Sequence, residues 1–450
     1  MENISKEGLT RGIRRWDLVA IAINAIIGAG IFGLPAKVFS LIGAYSIVAF
    51  AVCALVVALI VLCFAEVGSR FDATGGPYLY AREAFGPTVG FEVGWLLWLV
   101  RVTAFAANCN LLVQYASYFW PPVGSGAWRA ALITGVVLLL TVVNLLGVRE
   151  TTLVSNLFTI GKLIPLLILV AVGLFFIAPE NYSFDALPDY SAFSTSVLLL
   201  IYAFTGFEMA VIPAGEARHP QRDIPFAVLV AIAIVAVLFI LIQTVCIGTL
   251  PELAESERPL ADAGSRFLGA AGGALISAGA ITSIIGNLNV VLLAGSRMPF
   301  AMAERDQLPR VLAATHHRFR TPHVSILVTA TVVLALTLSG TFIYALTVSA
   351  ITRLVIYAAT CAALPVFRQR EDELRTSGFR APAGTLVTAL ALGLILWLLA
   401  NSTWREARDA TIAALLGLLI YFIHRKVRRT RRDSHSQSDG GESTSSSAKR

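Results

Sequence analysis

The chain has 450 residues, of which 56% are hydrophobic and only 14% are charged. A soluble globular protein carries about 25% charged residues, so the composition argues against a single water-soluble core. The net charge of +7 does not indicate a nucleic-acid partner, because the basic residues are spread over alternate loops between apolar segments, as in a membrane protein.

Apolar stretches of about 20 residues, each long enough to cross a hydrocarbon layer roughly 30 Å thick, recur from Trp16 almost to Lys426. They predict about twelve spans. Few segments alternate between polar and apolar residues, which favours helices over a barrel. The expected fold is an all-α polytopic membrane protein in which residues 16–426 form the transmembrane domain and the lipid bilayer is a partner.

Basic residues concentrate at the N-terminus and in the loops after the second, fourth, sixth, eighth and tenth spans, whereas residues 180–189 and 251–262 are acidic or basic-poor. The positive-inside rule therefore predicts cytoplasmic termini, with residues 1–15 as the N-terminal segment and 427–450 as the tail. The tail is basic at first and predicted to be disordered from Asp433, because it has no apolar residues to bury. The expected location is the cell membrane, the inner membrane in a bacterium.

Two spans carry signals for a broken helix. The first has Gly28, Gly30 and Gly33 near its middle, and the sixth, residues 196–214, has the segment 202–208 near its centre, followed by Pro213. Glycine weakens a helix and lets it open. Paired interruptions in two corresponding halves point to the midplane substrate site of a secondary carrier.

An opened helix in hydrocarbon exposes N–H and C=O groups that need partners, and a zwitterion supplies both kinds. The N–H groups of Ala29 and Gly30, at the start of a half-helix, suit a carboxylate. The carbonyls of Tyr202, Ala203 and Thr205, at the end of the opposing half-helix, suit an ammonium group. The alternative role for the first-span glycines is close helix packing, which we favour for Gly33 but not for Gly28 or Gly30.

The same glycines fit the spacing G-x-G-x-x-G. That pattern marks a dinucleotide site only after a strand and within a βαβ unit, and the sequence around Gly28 predicts neither. No cofactor and no metal site are expected.

Ionisable residues deep in apolar spans are functional candidates. Lys162 is either a titrating group or a lysine that reaches the membrane interface. Glu208 is a candidate to bind a cation, to take up a proton, or to cap freed backbone N–H groups. Arg101 is either a partner for a carboxylate such as Glu208 or a structural tie to backbone carbonyls, and we favour a structural role.

Four segments together resemble the amino acid, polyamine and organocation transporter family: IIGAGIF at 26–32, FTGFE at 204–208, GEARHPQRDIP at 215–225, and RMPFAMAERDQLP at 297–309 with the later Thr321 and Pro322. The resemblance implies a leucine-transporter-type fold of two inverted five-helix repeats, with helices 1 and 6 broken and two further helices at the periphery. It also implies that Lys162 occupies the place of a sodium ion and that Tyr202 is an aromatic lid. The substrate-binding residues expected on this basis are Ile27, Gly28, Ala29, Gly30, Tyr202, Ala203, Phe204, Thr205, Gly206, Phe207 and Glu208, with Lys162 as the coupling residue.

Many relatives have serine where this chain has Ala29, and some have tryptophan where it has Phe207, a position that shapes the side-chain pocket. Only Glu208 could receive a second substrate ammonium group, so a neutral or apolar amino acid is favoured. The expected function is sodium-independent secondary transport of amino acids by alternating access, with proton coupling or exchange.

Two other functions stay open, a cationic amino acid or polyamine exchanger and an amino acid sensor that does not transport. Isolated polar sites near two breaks do not resemble the rings of polar residues in a channel. An enzyme is not expected, because all six histidines lie in loops or at span ends and none faces a catalytic partner.

Overall fold

The computed structural model describes residues 13–72, 75–147, 152–184, 186–212, 214, 217–370 and 378–443, with the side chains of residues 152–160 and 427–443 outside the description. Several sequence predictions lie outside these residues: most of the N-terminal segment, Pro213, Gly215 and Glu216 of the loop after the sixth span, and the last residues of the tail.

The described residues form α-helices joined by short turns and contain no β-strand. The first seven helices are α1 (Arg15–Ile26), α2 (Gly30–Ile42), α3 (Ser46–Ser69), α4 (Pro77–Phe85), α5 (Pro87–Ala116), α6 (Gly126–Leu146) and α7 (Thr152–Gly173). The next seven are α8 (Tyr190–Phe204), α9 (Pro220–Thr249), α10 (Pro259–Glu304), α11 (His323–Ser339), α12 (Phe342–Gln369), α13 (Gly384–Ala400) and α14 (Trp404–Ser443). Helix α10 changes direction at Gly269, whose φ of 65° is not helical.

Eight helical segments in the described part are long and apolar enough to cross a membrane, and α11, α13 and residues 161–176 are shorter apolar helices. One of the eight, Gly30–Ser69, contains both α2 and α3, which are separated by a turn at Gly43–Tyr45. An all-helical polytopic membrane protein is therefore confirmed. Helix α14 continues to Ser443, past Asp433, and the disorder expected there stays a prediction.

Both expected helix interruptions are present. Helix α1 ends at Ile26 and α2 begins at Gly30, while α8 ends at Phe204 and is followed by a short 3₁₀ turn, Phe207–Ala210. Helix α5 runs beside these breaks and packs against α10 and α12. The centre of the bundle is thus made of two interrupted helices and the three long helices α5, α10 and α12.

A buried ion cluster joins the C-terminal ends of α3 and α12. Glu66 is fully buried and accepts two hydrogen bonds from Arg368, at 2.8 and 2.6 Å. It also accepts one from Arg70 at 3.2 Å and one from the N–H of Ala381 at 2.8 Å. A buried carboxylate with this many donors is fully compensated, and its loss would leave two arginines without their carboxylate.

We expect Glu66→Gln to lower the free energy of unfolding by about 3–5 kcal/mol, because one partner of a buried charge cluster is removed. The control is Arg310→Gln. It breaks the pair between Arg310 and Asp306, in which the arginine side chain is 82% exposed, and exposed pairs contribute only about 0–1 kcal/mol. Unfolding of both variants in detergent tests this, and equal losses of stability would contradict it.

Candidate functional site

The two interruptions touch each other. A Cβ atom added at Gly30 would lie 2.7 Å from the Cα of Ala203, so only glycine permits this approach of α2 to the end of α8. Gly206 has a φ of +117°, and a Cβ there would lie 2.4 Å from the carbonyl oxygen of Ala25. Both the backbone conformation and the close contact require glycine at this position.

The first interruption leaves backbone donors without partners. The N–H of Ile27 bonds to the carbonyl of Ile23 and that of Gly28 to the carbonyl of Ile26. The N–H groups of Ala29 and Gly30 donate to no other residue in the part of the chain that the structure describes. These two donors stand at the N-terminus of α2, where the helix dipole favours an anion.

The second interruption leaves backbone acceptors. The carbonyl of Tyr202 already accepts from the N–H of Thr205 at 3.4 Å and from its hydroxyl at 2.7 Å. The carbonyls of Ala203 and Thr205 accept no hydrogen bond from another described residue. Of the three carbonyls that the sequence indicated, two therefore remain available.

A cavity of about 210 Å³ lies between the interruptions and helices α5, α7, α10 and α12. Pockets for drug-sized ligands measure about 300–1,000 Å³, so this one suits a smaller solute. Of the residues predicted from the sequence, the cavity is lined by Gly28, Ala29, Gly30, Lys162, Tyr202, Thr205 and Gly206.

The other predicted residues lie close by without lining the cavity; they are Ile27, Ala203, Phe204, Phe207 and Glu208. The ring of Phe204 packs against Phe50 and Phe239. That of Phe207 packs against Phe64 and Tyr357. These two aromatic side chains hold α8 and the following turn in the bundle, and Phe207 does not shape the cavity.

Lys162, on α7, is buried and bonds to the end of α1. Its ammonium group donates to the carbonyl of Ile27 at 2.9 Å and to the carbonyl of Asn24. A positive charge at a helix C-terminus is favourable, because the last carbonyls have no partner within the helix. The lysine thus points into the bundle, and of the two roles left open for it, reaching the membrane interface is not the one observed.

Glu208 is almost fully buried and has three partners. Its carboxylate accepts from the N–H of Gly206 at 2.9 Å, from Arg353 at 2.5 Å and from the hydroxyl of Tyr357 at 3.0 Å. It therefore caps a backbone donor freed by the second interruption and neutralises an arginine of α12.

Arg101 lines the cavity from α5 and is 6% exposed. Its one hydrogen bond to a described residue goes to the sulfur of Met209, at 2.7 Å, and a thioether is a weak acceptor. It forms no ion pair with Glu208, whose partner is Arg353. The tie to backbone carbonyls considered from the sequence is also absent among the described residues.

A chain of polar side chains borders the cavity. The hydroxyl of Tyr202 donates to Asn108 at 2.6 Å, and the amide of Asn108 donates to Asn287 at 2.6 Å. These bonds connect α8, α5 and α10. The asparagines thus link helices, as polar side chains in membrane bundles often do, and they also line the cavity.

Sequence reasoning missed Arg353 and Tyr357, the partners of Glu208. The signal for Arg353 was available, since it is an ionisable residue inside the apolar run of α12, the same criterion that identified Arg101. Its pairing with Glu208 could not be read from the sequence, because helices α9, α10 and α11 lie between the two residues in the chain.

The sequence is similar to those of known transporters. A family profile described as amino acid permease matches residues 13–423. The chain is 27% identical over 440 residues to a methylthioribose transporter of Bacillus subtilis, covering 93% of this chain and 94% of the relative. It is 28% identical over 424 residues to the serine/threonine exchanger SteT of the same organism, covering 91% of this chain and 95% of the relative. It is also 24% identical over 444 residues to the branched-chain amino acid permease BcaP of Bacillus subtilis, covering 93% of this chain and 94% of the relative.

The family match covers nearly the whole chain, including both interruptions and every residue that lines the cavity. The chain therefore belongs to the amino acid permease family, whose members are multi-pass membrane transporters and not enzymes.

Proposed function

We propose that this protein is a sodium-independent secondary transporter of amino acids that works by alternating access. The observation that carries the proposal is the contact between the two interrupted helices, which places Ala29 and Gly30, whose N–H groups have no described partner, and Thr205, whose carbonyl has none, around one small cavity. Two relatives, a serine/threonine exchanger and a branched-chain amino acid permease, support the substrate class.

The proposed architecture has twelve spans. The first consists of α1 and α2 and the sixth of α8 with the turn after it; α3, α5, α6, α7 and α9 to α14 supply the others. Spans 1–5 and 6–10 are then two inverted repeats with an interruption in the first span of each, as in carriers of this kind. Spans 11 and 12 are peripheral, both termini are cytoplasmic in the cell membrane, and residues 16–426 form the transport domain.

In the proposed complex, the substrate carboxylate accepts hydrogen bonds from the N–H groups of Ala29 and Gly30 at the start of α2. The substrate ammonium group donates to the carbonyls of Ala203 and Thr205. Tyr202 borders the same space and is held by Asn108, which supports a role as lid through its side chain.

Lys162 is the proposed coupling residue. Its charge stabilises the free carbonyls at the end of α1, the position that a bound cation would otherwise fill. Loss of its proton would remove this support, so proton binding and the conformation of the first span are linked in the proposal. Exchange of one amino acid for another, with Lys162 charged throughout, is the alternative form of the cycle.

A cationic amino acid or polyamine is less favoured as a substrate. Glu208 was the one carboxylate that could receive a second ammonium group, and it is already paired with Arg353 and Tyr357. A sensor that binds amino acids without moving them uses the same contacts, and measuring uptake separates the two functions.

We expect the protein in proteoliposomes to take up labelled amino acids, faster with an inward proton gradient or with an amino acid inside. Lys162→Ala removes a charged donor worth about 1.5–3 kcal/mol, so uptake should fall about tenfold or more. Binding without uptake under any gradient or counter-substrate would contradict transport and favour the sensor. Unchanged gradient dependence in Lys162→Ala would contradict the coupling role alone.

Gly30→Ala tests the contact between the interruptions. The new methyl group would meet the backbone of Ala203, and such overpacking costs about 1–3 kcal/mol, so amino acid affinity should fall on the order of tenfold or more. The control is Gly135→Ala in α6, where a Cβ has no neighbour within 4 Å. Equal affinities of the two variants, measured by equilibrium binding, would place the substrate away from this contact.

A further inference from the structure

Among the described residues, the charged side chains that line the cavity all have the same sign. Lys162, Arg101 and Arg353 are lining residues, and no aspartate or glutamate is among them. A fixed charge in a membrane interior is costly unless it is paired or hydrated. Each of these three cations therefore needs a partner, either in the protein or in a ligand.

Two of the three are compensated. Lys162 donates to the carbonyls of Asn24 and Ile27, and Arg353 forms an ion pair with Glu208 at 2.5 Å. Among the described residues, Arg101 donates only to the sulfur of Met209, and the charge of Glu208 acts on it from nearby without a direct ion pair. It retains a full positive charge and most of its five N–H donors, on a side chain that lines the cavity and is more than nine-tenths buried.

The base of Arg101 is held firmly in place. A Cβ added at Gly295 of α10 would lie 3.2 Å from the Cβ of Arg101, so α10 packs closely against this part of α5. The guanidinium group thus belongs to the packed centre of the bundle and is not a mobile side chain at the membrane surface. A buried guanidinium to which no described carboxylate bonds directly suits a planar anion, which it can bind through two parallel hydrogen bonds.

We infer that Arg101 binds an anionic group on the substrate side chain, so that amino acids with an acidic side chain are preferred. The inference rests on the proposed function and narrows its substrate class. In this arrangement, the α-carboxylate accepts hydrogen bonds from the N–H groups of Ala29 and Gly30. The ammonium group donates to the carbonyls of Ala203 and Thr205. The second carboxylate, on the side chain, neutralises Arg101. The neutral amino acid that the sequence favoured would leave Arg101 without a directly bonded anion.

Matched substrate pairs test the inference. Binding to the purified full-length protein is measured for glutamate against glutamine and for aspartate against asparagine, pairs that differ only in the side-chain anion. A charge-assisted hydrogen bond contributes about 1.5–3 kcal/mol, so the acidic member of at least one pair should bind about tenfold to hundredfold more tightly.

Substitutions of Arg101 test whether this residue causes the preference for the acidic amino acid. Arg101→Gln should bring the ratio of affinities within the preferred pair close to one, and Arg101→Lys, which keeps the charge, should retain part of it. The control is Arg297→Gln on α10, an exposed arginine that bonds to the carbonyl of Leu293 and does not line the cavity; it should keep the wild-type ratio. A ratio that survives Arg101→Gln would overturn the inference.

Amino acid transport and the binding of an acidic side chain by Arg101 can be contradicted separately. If the wild type transports neutral amino acids and binds glutamine as tightly as glutamate, the role of Arg101 is wrong and the transporter stands. If no amino acid is bound or taken up, both fall. Should Arg101→Gln fail to fold, the wild-type ratio and Arg101→Lys still decide the matter.

Discussion

The site depends on the close contact between two interrupted helices, with Gly30 against Ala203 and Gly206 against the end of α1. Each interruption frees backbone groups that hydrocarbon cannot satisfy, and neither would be stable facing lipid. Brought together, they border one cavity, which is lined by Ala29 and Gly30 at the start of α2 and by Tyr202 and Thr205 at the end of α8. Packing alone does not explain this arrangement, since a continuous helix would pack with all of its backbone satisfied.

Two buried ionisable residues stabilise the interruptions by forming hydrogen bonds with some of the backbone groups that the breaks leave free. Lys162 takes the carbonyls at the end of α1, and Glu208 takes the N–H of Gly206. Each charge has the sign that the neighbouring backbone dipoles favour. The groups without a partner among the described residues include the N–H groups of Ala29 and Gly30 and the carbonyls of Ala203 and Thr205, which are the two kinds of group that a zwitterion requires. In the proposed cycle, protein side chains thus form hydrogen bonds with some of the backbone groups freed by the interruptions, and the substrate forms hydrogen bonds with others.

The sequence predicted the helical fold and both interruptions, because apolar length and clustered glycines are local signals. It also identified Lys162 and Glu208, since a charge within an apolar run is conspicuous. It did not predict that Glu208 pairs with Arg353, or that Phe207 packs against Phe64. Those features depend on how distant helices rotate against one another, and nearly uniform apolar helices carry little pattern from which a rotation can be read.

The central claim is that the two interruptions together hold the amino and carboxyl groups of one substrate. An experimental structure of the protein with a bound amino acid tests it most directly. The account predicts ligand density between α2 and α8, with the α-carboxylate within hydrogen-bonding distance of the N–H groups of Ala29 and Gly30 and the ammonium group next to the carbonyls of Ala203 and Thr205. Density elsewhere, with these backbone groups bonded only to protein or water, would contradict it.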